Sequence, residues 1–314
     1  MVFSVFLTAA ALFGFSISSA FWMLCVWAVP YGLGAGAVDA ALNNYVALHY
    51  SSRHMSWLHC CWGIGAAVSP YVMSYCLMSG LGWEKGYLSI SILQIIFTVV
   101  LLTSLPLWQK RQTKESLENL PALTLSSIFK ISGVKYILAA FFAYCALETT
   151  IGLWASSYLV IHRGISSENA AMFASLFFLG ITFGRFASGF IADRIGDKNM
   201  IRMGIWVLIC GIIMVMLPLK SDWVCLAGLI ITGLGCAPIY PSIIHSTPEN
   251  FGAENSQAIV GVQMASAYTG STFMPPLFGL IANNISIGFY PWFIMFFALL
   301  MLFMTERLNN LKNS

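Results

Sequence analysis

No charged residue occurs before Asp39. An uncharged run of 38 residues would be roughly 57 Å long as one helix, at about 1.5 Å per residue. That is nearly twice the roughly 30 Å hydrocarbon core of a bilayer. The opening must therefore hold two membrane spans, with a turn near Ser18, Ser19 and Ala20. The start lacks the positively charged segment of a secretory leader, so these residues read as spans. The same alternation of long apolar runs and short polar breaks continues to the other terminus. It predicts ten spans, at about 2–17, 21–47, 56–79, 86–108, 132–161, 169–193, 200–217, 222–246, 256–283 and 287–306.

Composition agrees. Charged residues make up 9% of the chain and hydrophobic ones 59%, whereas a soluble domain carries about 25% charged residues. The net charge of +3 is no signature of nucleic-acid binding, because the cations lie in breaks between apolar runs. The eight cysteines all fall inside apolar segments without metal-ligand spacing to histidine, and read as small packing residues. No Ser/His/Asp or Cys/His set recurs at catalytic spacing and no phosphate loop is present. The chain reads as neither an enzyme nor a cofactor or metal binder.

Placing both termini in the cytoplasm puts Arg53, Lys110, Arg111, Lys114, Lys130, Lys135, Arg194, Lys198, Arg202, Arg307 and Lys312 inside. Lys85, Arg163 and Lys220 fall outside, and Arg185 lies within a span. The excess of inner cations selects this orientation, in the inner or plasma membrane. The longest connection, 109–131, is polar and divides four spans from six. It predicts a partial helical bundle at 1–108, a cytoplasmic linker at 109–131 and a six-helix bundle at 132–314.

The two halves echo each other. Gly32-Leu-Gly34 matches Gly233-Leu-Gly235, and Gly65 with Pro70 matches Gly270 with Pro275. Membrane carriers are built from such repeats. In this register the span at 200–217 corresponds to 2–17, so the chain is expected to begin at the third helix of a twelve-helix plan. A truncated product and a true ten-span protein both satisfy this. Gly32 and Gly36 are expected to serve close helix packing.

Charges as dense as those of Gly184–Lys198 are rare in a chain with 9% charged residues. Gly189, Asp193, Arg194, Gly196 and Lys198 stand at the spacing of the G-x-x-x-D-R-x-G-x-K loop, and on these residues the chain resembles the major facilitator transporters. The likeness extends to the fucose:proton symporter and hexose-transporting branch. It is carried by Gly32–Asn43, Trp57–Pro70, Tyr144–Glu148 with Gly152, Trp154 and Tyr158, Leu179–Arg185, and Gly233–Gly235 with Tyr240 and Pro241. Asp197 departs from the usual basic residue of the loop. The resemblance implies an all-α membrane protein of the major facilitator fold, with about ten helices arranged four plus six. Physically, Gly189 lets a neighbouring helix approach, and Gly196 supplies backbone freedom to a tight turn. Asp193 can accept from the N–H groups at a helix start, expected to be that of span 256–283. A charged loop that only sets topology is the plainer alternative.

An ionisable group in mid-membrane costs roughly 2.5–3.5 kcal/mol and is a functional candidate by default. Glu148 sits near the middle of its span, four residues after Tyr144 and six before Trp154. An acid beside aromatic faces suits a sugar, whose hydroxyls bond the carboxylate while its apolar face stacks on indole. It also suits a proton carrier. Neutralisation by Arg185 is the structural alternative, but helix rise places Arg185 roughly 12 Å from the inner end of its span, and Glu148 further out. Their direct pairing looks strained. Asp39 and Asn43 share a helix face, and His59 enters the next span at a depth similar to Asn43. These three form a proton path or an interhelical hydrogen bond. Asn44 points to another face, toward the cavity, as a candidate solute contact, and Gln263 is a weaker one. His245 and Glu249 are expected to be solvated.

Taken together, these residues predict a secondary transporter of a small polar solute, a sugar above others, coupled to protons, working by alternating access in the lipid bilayer. The alternative is a non-transporting membrane fragment, or a regulatory or structural partner of another membrane protein. Oligomeric state is not readable from the sequence.

Overall fold

The structure is a computed structural model describing residues 1–107, 124–217 and 222–313. Among these residues the chain forms helices and no strand. They are α1 (Val2–Ser16), α2 (Phe21–His49), α3 (Ser52–Met78), α4 (Trp83–Ser104), α5 (Leu125–Lys130), α6 (Val134–Arg163), α7 (Ser167–Ile195), α8 (Asp197–Met216), α9 (Asp222–His245), α10 (Thr247–Phe251), α11 (Ala253–Asn284) and α12 (Tyr290–Asn313). Most of the linker expected at 109–131 lies outside the described residues, with Lys110, Arg111 and Lys114; so does Lys220. The linker's described part includes α5, capped by the Thr124 hydroxyl, which accepts from the Ser127 N–H.

Eight of the described segments are long and apolar enough to cross a membrane: α2, α3, α4, α6, Phe173–Ile195 of α7, α8, α9, and Ile287–Lys312, which contains most of α12. Helix α1 is apolar but shorter. Helix α11 is the longest, at 32 residues, and is diluted by Glu254, Asn255, Ser256, Gln257 and Gln263. Large apolar side chains point outward all along these helices, among them Phe3, Phe21, Trp22, Val29, Ile96, Phe183, Trp206 and Phe296. In water such a surface would aggregate; against lipid it is the expected exterior. The chain is a multi-pass membrane protein.

Contacts divide it into two units. One is Met1–Asn43 with Ile64–Pro121; the other is Asn44–Gly63 with Ala122–Ser314. The boundary thus passes through α2 and α3. In the first unit α1 packs on α4, where the Ser91 hydroxyl donates to the Ala9 carbonyl (2.9 Å) and Thr8 to Gln94 (2.9 Å). Helix α2 meets α1 at Gly34, where a Cβ would sit 2.7 Å from the Ser4 carbonyl oxygen. The close packing expected at Gly32 is displaced to Gly34, since a Cβ on Gly32 meets open space.

In the second unit α6 packs on α11 and α12, and α9 on α7 and α8. Its core is aromatic, with Phe141, Tyr144, Phe177, Phe278 and Tyr290 wholly or almost wholly buried. Gly235 of α9 admits Leu208 of α8, much as Gly34 of α2 admits α1. Of the glycines matched between the halves, Gly34 and Gly235 both admit a neighbouring helix, whereas Gly32 and Gly65 face open space and Gly233 and Gly270 do not.

Candidate functional site

Two polar clusters lie in the second unit. The deeper one gathers side chains from four helices. Tyr144 and Glu148 share a face of α6 because four residues are about one helical turn. Arg185 reaches them from α7; His59 and Trp62 come from α3, and Tyr240 from α9. Arg185 Nη2 lies 3.4 Å from Glu148 Oε1 and 3.5 Å from the Tyr144 hydroxyl. Its Nη1 donates to the His59 carbonyl at 3.3 Å. The guanidinium carbon lies 5.2 Å from the centroid of the Trp62 ring. Tyr144 donates to the Cys236 carbonyl at 3.2 Å, and the His59 ring meets Tyr240 edge-on at 4.6 Å.

Arg185 is 2% exposed and the Glu148 side chain 14%, so the acid is the more accessible member of the pair and lies over its counter-ion. The pairing that helix rise made look strained is present. Rise locates Cα atoms, whereas a long arginine side chain carries its charge well away from its own Cα. Arg185 Nε is buried and has no hydrogen-bond partner.

The other expected site residues are placed as follows. Trp154 donates its indole N–H to the Pro275 carbonyl (3.0 Å) and meets Phe278 edge-on at 5.3 Å, so its ring packs α6 onto α11. Asn43 donates to Asp39 at 2.8 Å along α2. Asn44 accepts from Ser256 of α11 at 2.7 Å. Gln263 is fully buried; its Oε1 accepts from Thr247 at 3.1 Å, and its amide nitrogen has no partner. Trp62 and Tyr240 were not singled out from the sequence as site residues. The available signal was the His59-x-x-Trp62 spacing, which puts both residues on one face of α3.

The second cluster lies where the α7–α8 loop meets the start of α3. Asp193 accepts from the Arg53 backbone N–H (3.0 Å) and the Ser51 hydroxyl (3.1 Å), and pairs with the Arg53 side chain at 3.5 Å. Asp193 thus caps α3, and not the start of α11 as expected. The reason is close packing: a Cβ on Gly189 would overlap the Trp57 indole, so α3 lies directly against α7. Gly196 makes the turn at φ +79°. Arg194 is exposed. Asp197, where the sequence departs from the usual basic residue, accepts from Ser52 at 2.6 Å and pairs with His245 Nδ1 at 2.5 Å. His245 Nε2 lies 3.0 Å from the Tyr50 carbonyl. His245 is therefore not simply solvated; it ties the end of α9 to this loop.

The apolar helices define a polytopic membrane protein with an ion pair, Glu148–Arg185, inside its apolar region. The sequence matches the Major Facilitator Superfamily over residues 1–221 and again over 137–308, and the chain belongs to that superfamily. Bypass of stop codon protein 6 of Saccharomyces cerevisiae is 22% identical over 305 residues, which cover 87% of this chain and 61% of that protein. The chain thus spans about three-fifths of that relative's length. An uncharacterized MFS-type transporter, YcaD of Escherichia coli O7:K1, is 21% identical over 97% of this chain and 77% of its own. Among solved structures the fold is similar to the E. coli fucose:proton symporter FucP, with a TM-score of 0.73 and 14% identity over 98% of this chain and 82% of that one.

Proposed function

We propose that the protein is a secondary active transporter that moves a small polar solute, a sugar in the first instance, together with protons, by alternating access. The observation that carries this reading is the Glu148–Arg185 pair, an acid and a cation held together inside an apolar helical unit and more accessible at the acid. A membrane-embedded ionisable pair is costly and is a functional candidate by default. Glu148 is the proposed proton carrier, Trp62 a proposed stacking surface, and the Asp193–Arg53 and Asp197–His245 contacts the proposed inner gate. The sugar and the proton are proposed from the likeness in fold to FucP, a fucose:proton symporter.

The proposal keeps the ten-span plan, with α1 and α11 crossing the bilayer beside the eight apolar segments. It keeps both termini in the cytoplasm of a plasma-membrane protein, two bundles joined through 109–131, and α1 in the third place of the repeat. The test is uptake into proteoliposomes with an imposed proton gradient. Glu148→Gln preserves shape but cannot cycle a proton, and is expected to abolish uphill uptake while sparing solute exchange. Concentrative, gradient-dependent uptake by Glu148→Gln would move the proton carrier to another residue, Asp39 first.

A further inference from the structure

Building on that transport reading, we infer that the co-transported solute is a monoanion, a sugar acid, whose carboxylate takes the place of Glu148 on the Arg185 guanidinium. A guanidinium stays charged at any accessible pH, and Arg185 is 2% exposed. Among the described residues Glu148 is the carboxylate that touches it; its other contacts, the His59 carbonyl, the Tyr144 hydroxyl and the Trp62 ring, are neutral. A proton on Glu148 removes that counter-charge and leaves an unpaired cation inside the membrane, which is strongly unfavourable. A neutral sugar does not restore the balance. A carboxylate entering with the proton does, and the loaded site then carries the same net charge as the empty one.

The guanidinium has hydrogen-bonding capacity to spare for it. Arg202 shows what this side chain does with a well-seated carboxylate: Nε and Nη2 grip Glu306 at 2.7 and 2.6 Å. Arg185 presents the same edge half used. Its Nη2 makes one contact with Glu148, at 3.4 Å, well beyond the roughly 2.7–2.9 Å of a charge-assisted bond, and its Nε has no partner. A buried orphan donor calls for a partner, and a carboxylate on the Nε–Nη2 edge satisfies both atoms. Trp62, 54% exposed and lying over the guanidinium, gives the sugar ring a face to stack on.

The other titratable groups facing the pair are Tyr144 on α6, His59 and Cys60 on α3, and Cys236 and Tyr240 on α9. The test must separate Glu148 from His59 above all. The full chain in nanodiscs is titrated with a panel of hexuronates and aldonates and with the matched neutral hexoses, following tryptophan fluorescence. At least one acid should bind, and its affinity should rise about tenfold per pH unit as pH falls, because one proton and one anion bind together. In Glu148→Gln the acid should bind tightly with no pH dependence. Arg185→Lys keeps the charge but loses the fork, and should weaken the acid at least tenfold. A pH slope persisting in Glu148→Gln would give the proton to His59 and overturn the inference. In proteoliposomes, uptake of the acid should be electroneutral, indifferent to an inside-negative potential. Proton-coupled uptake of a neutral hexose accelerated by that potential would refute the anion while leaving the transport reading intact. Binding and uptake of neither panel would defeat both.

Discussion

Removing the Asp193 side chain should loosen one identifiable helix start. Helix α3 begins at Ser52, and its preceding residue, Ser51, turns its hydroxyl to Asp193 at 3.1 Å. The orphan N–H of Arg53 is satisfied instead by Asp193 at 3.0 Å. Asp193→Ala therefore deletes a cap borrowed from another helix. A cap of this kind is worth about 1 kcal/mol, within a range of roughly 0.5–2. The Arg53–Asp193 ion pair, with side chains 44% and 32% exposed, adds less than about 0.5 kcal/mol once screening is counted. The loss of about 1–2 kcal/mol corresponds to a roughly 5- to 30-fold larger population of the released loop. Hydrogen exchange by mass spectrometry in nanodiscs reads this directly. The peptide containing Arg53–Ser56 should exchange about 5- to 30-fold faster in Asp193→Ala, with the middle of α6 unchanged. Unaltered exchange at Arg53–Ser56 would show that Asp193 does not hold α3 and would reduce the loop to a topology signal. Asp193→Asn keeps an acceptor but not the charge, and should lower transport without impairing insertion.

Gly189→Ala should destabilise the protein by about 1–3 kcal/mol through overlap with Trp57; in a Trp57→Ala background the same change should be nearly neutral, as thermal midpoints of the four variants would reveal. Trp62→Ala, at a half-exposed position, should leave the thermal midpoint within the roughly 0.5 kcal/mol expected of surface changes but raise the apparent KM for the solute several-fold; equal losses of stability and transport would make Trp62 a packing residue. In sealed cells carrying a cysteine-free background, Ser166→Cys should label with an impermeant maleimide and Ser132→Cys should not; the opposite pattern would invert the proposed orientation.

The bilayer explains why so much was readable from sequence. Hydrocarbon thickness sets how long an apolar run must be, and unsatisfied backbone is intolerable in lipid, so length and hydropathy are enough to place helices. The chain turns between Ser16 and Phe21, where the uncharged opening had to break. Partners across helices were not legible. Glu148 and Arg185 lie 37 residues apart on α6 and α7, and no periodicity reports how two helices rotate and tilt against each other or how far a guanidinium reaches. Asp193 was readable as a cap, but the helix it caps was not, since that depends on Trp57 of α3 lying against Gly189 of α7. Trp62 lies against the Arg185 guanidinium and Trp154 against α11 by the same rule: both are aromatic residues in apolar spans, and only tertiary packing decides which indole faces the ion pair and which faces a neighbouring helix.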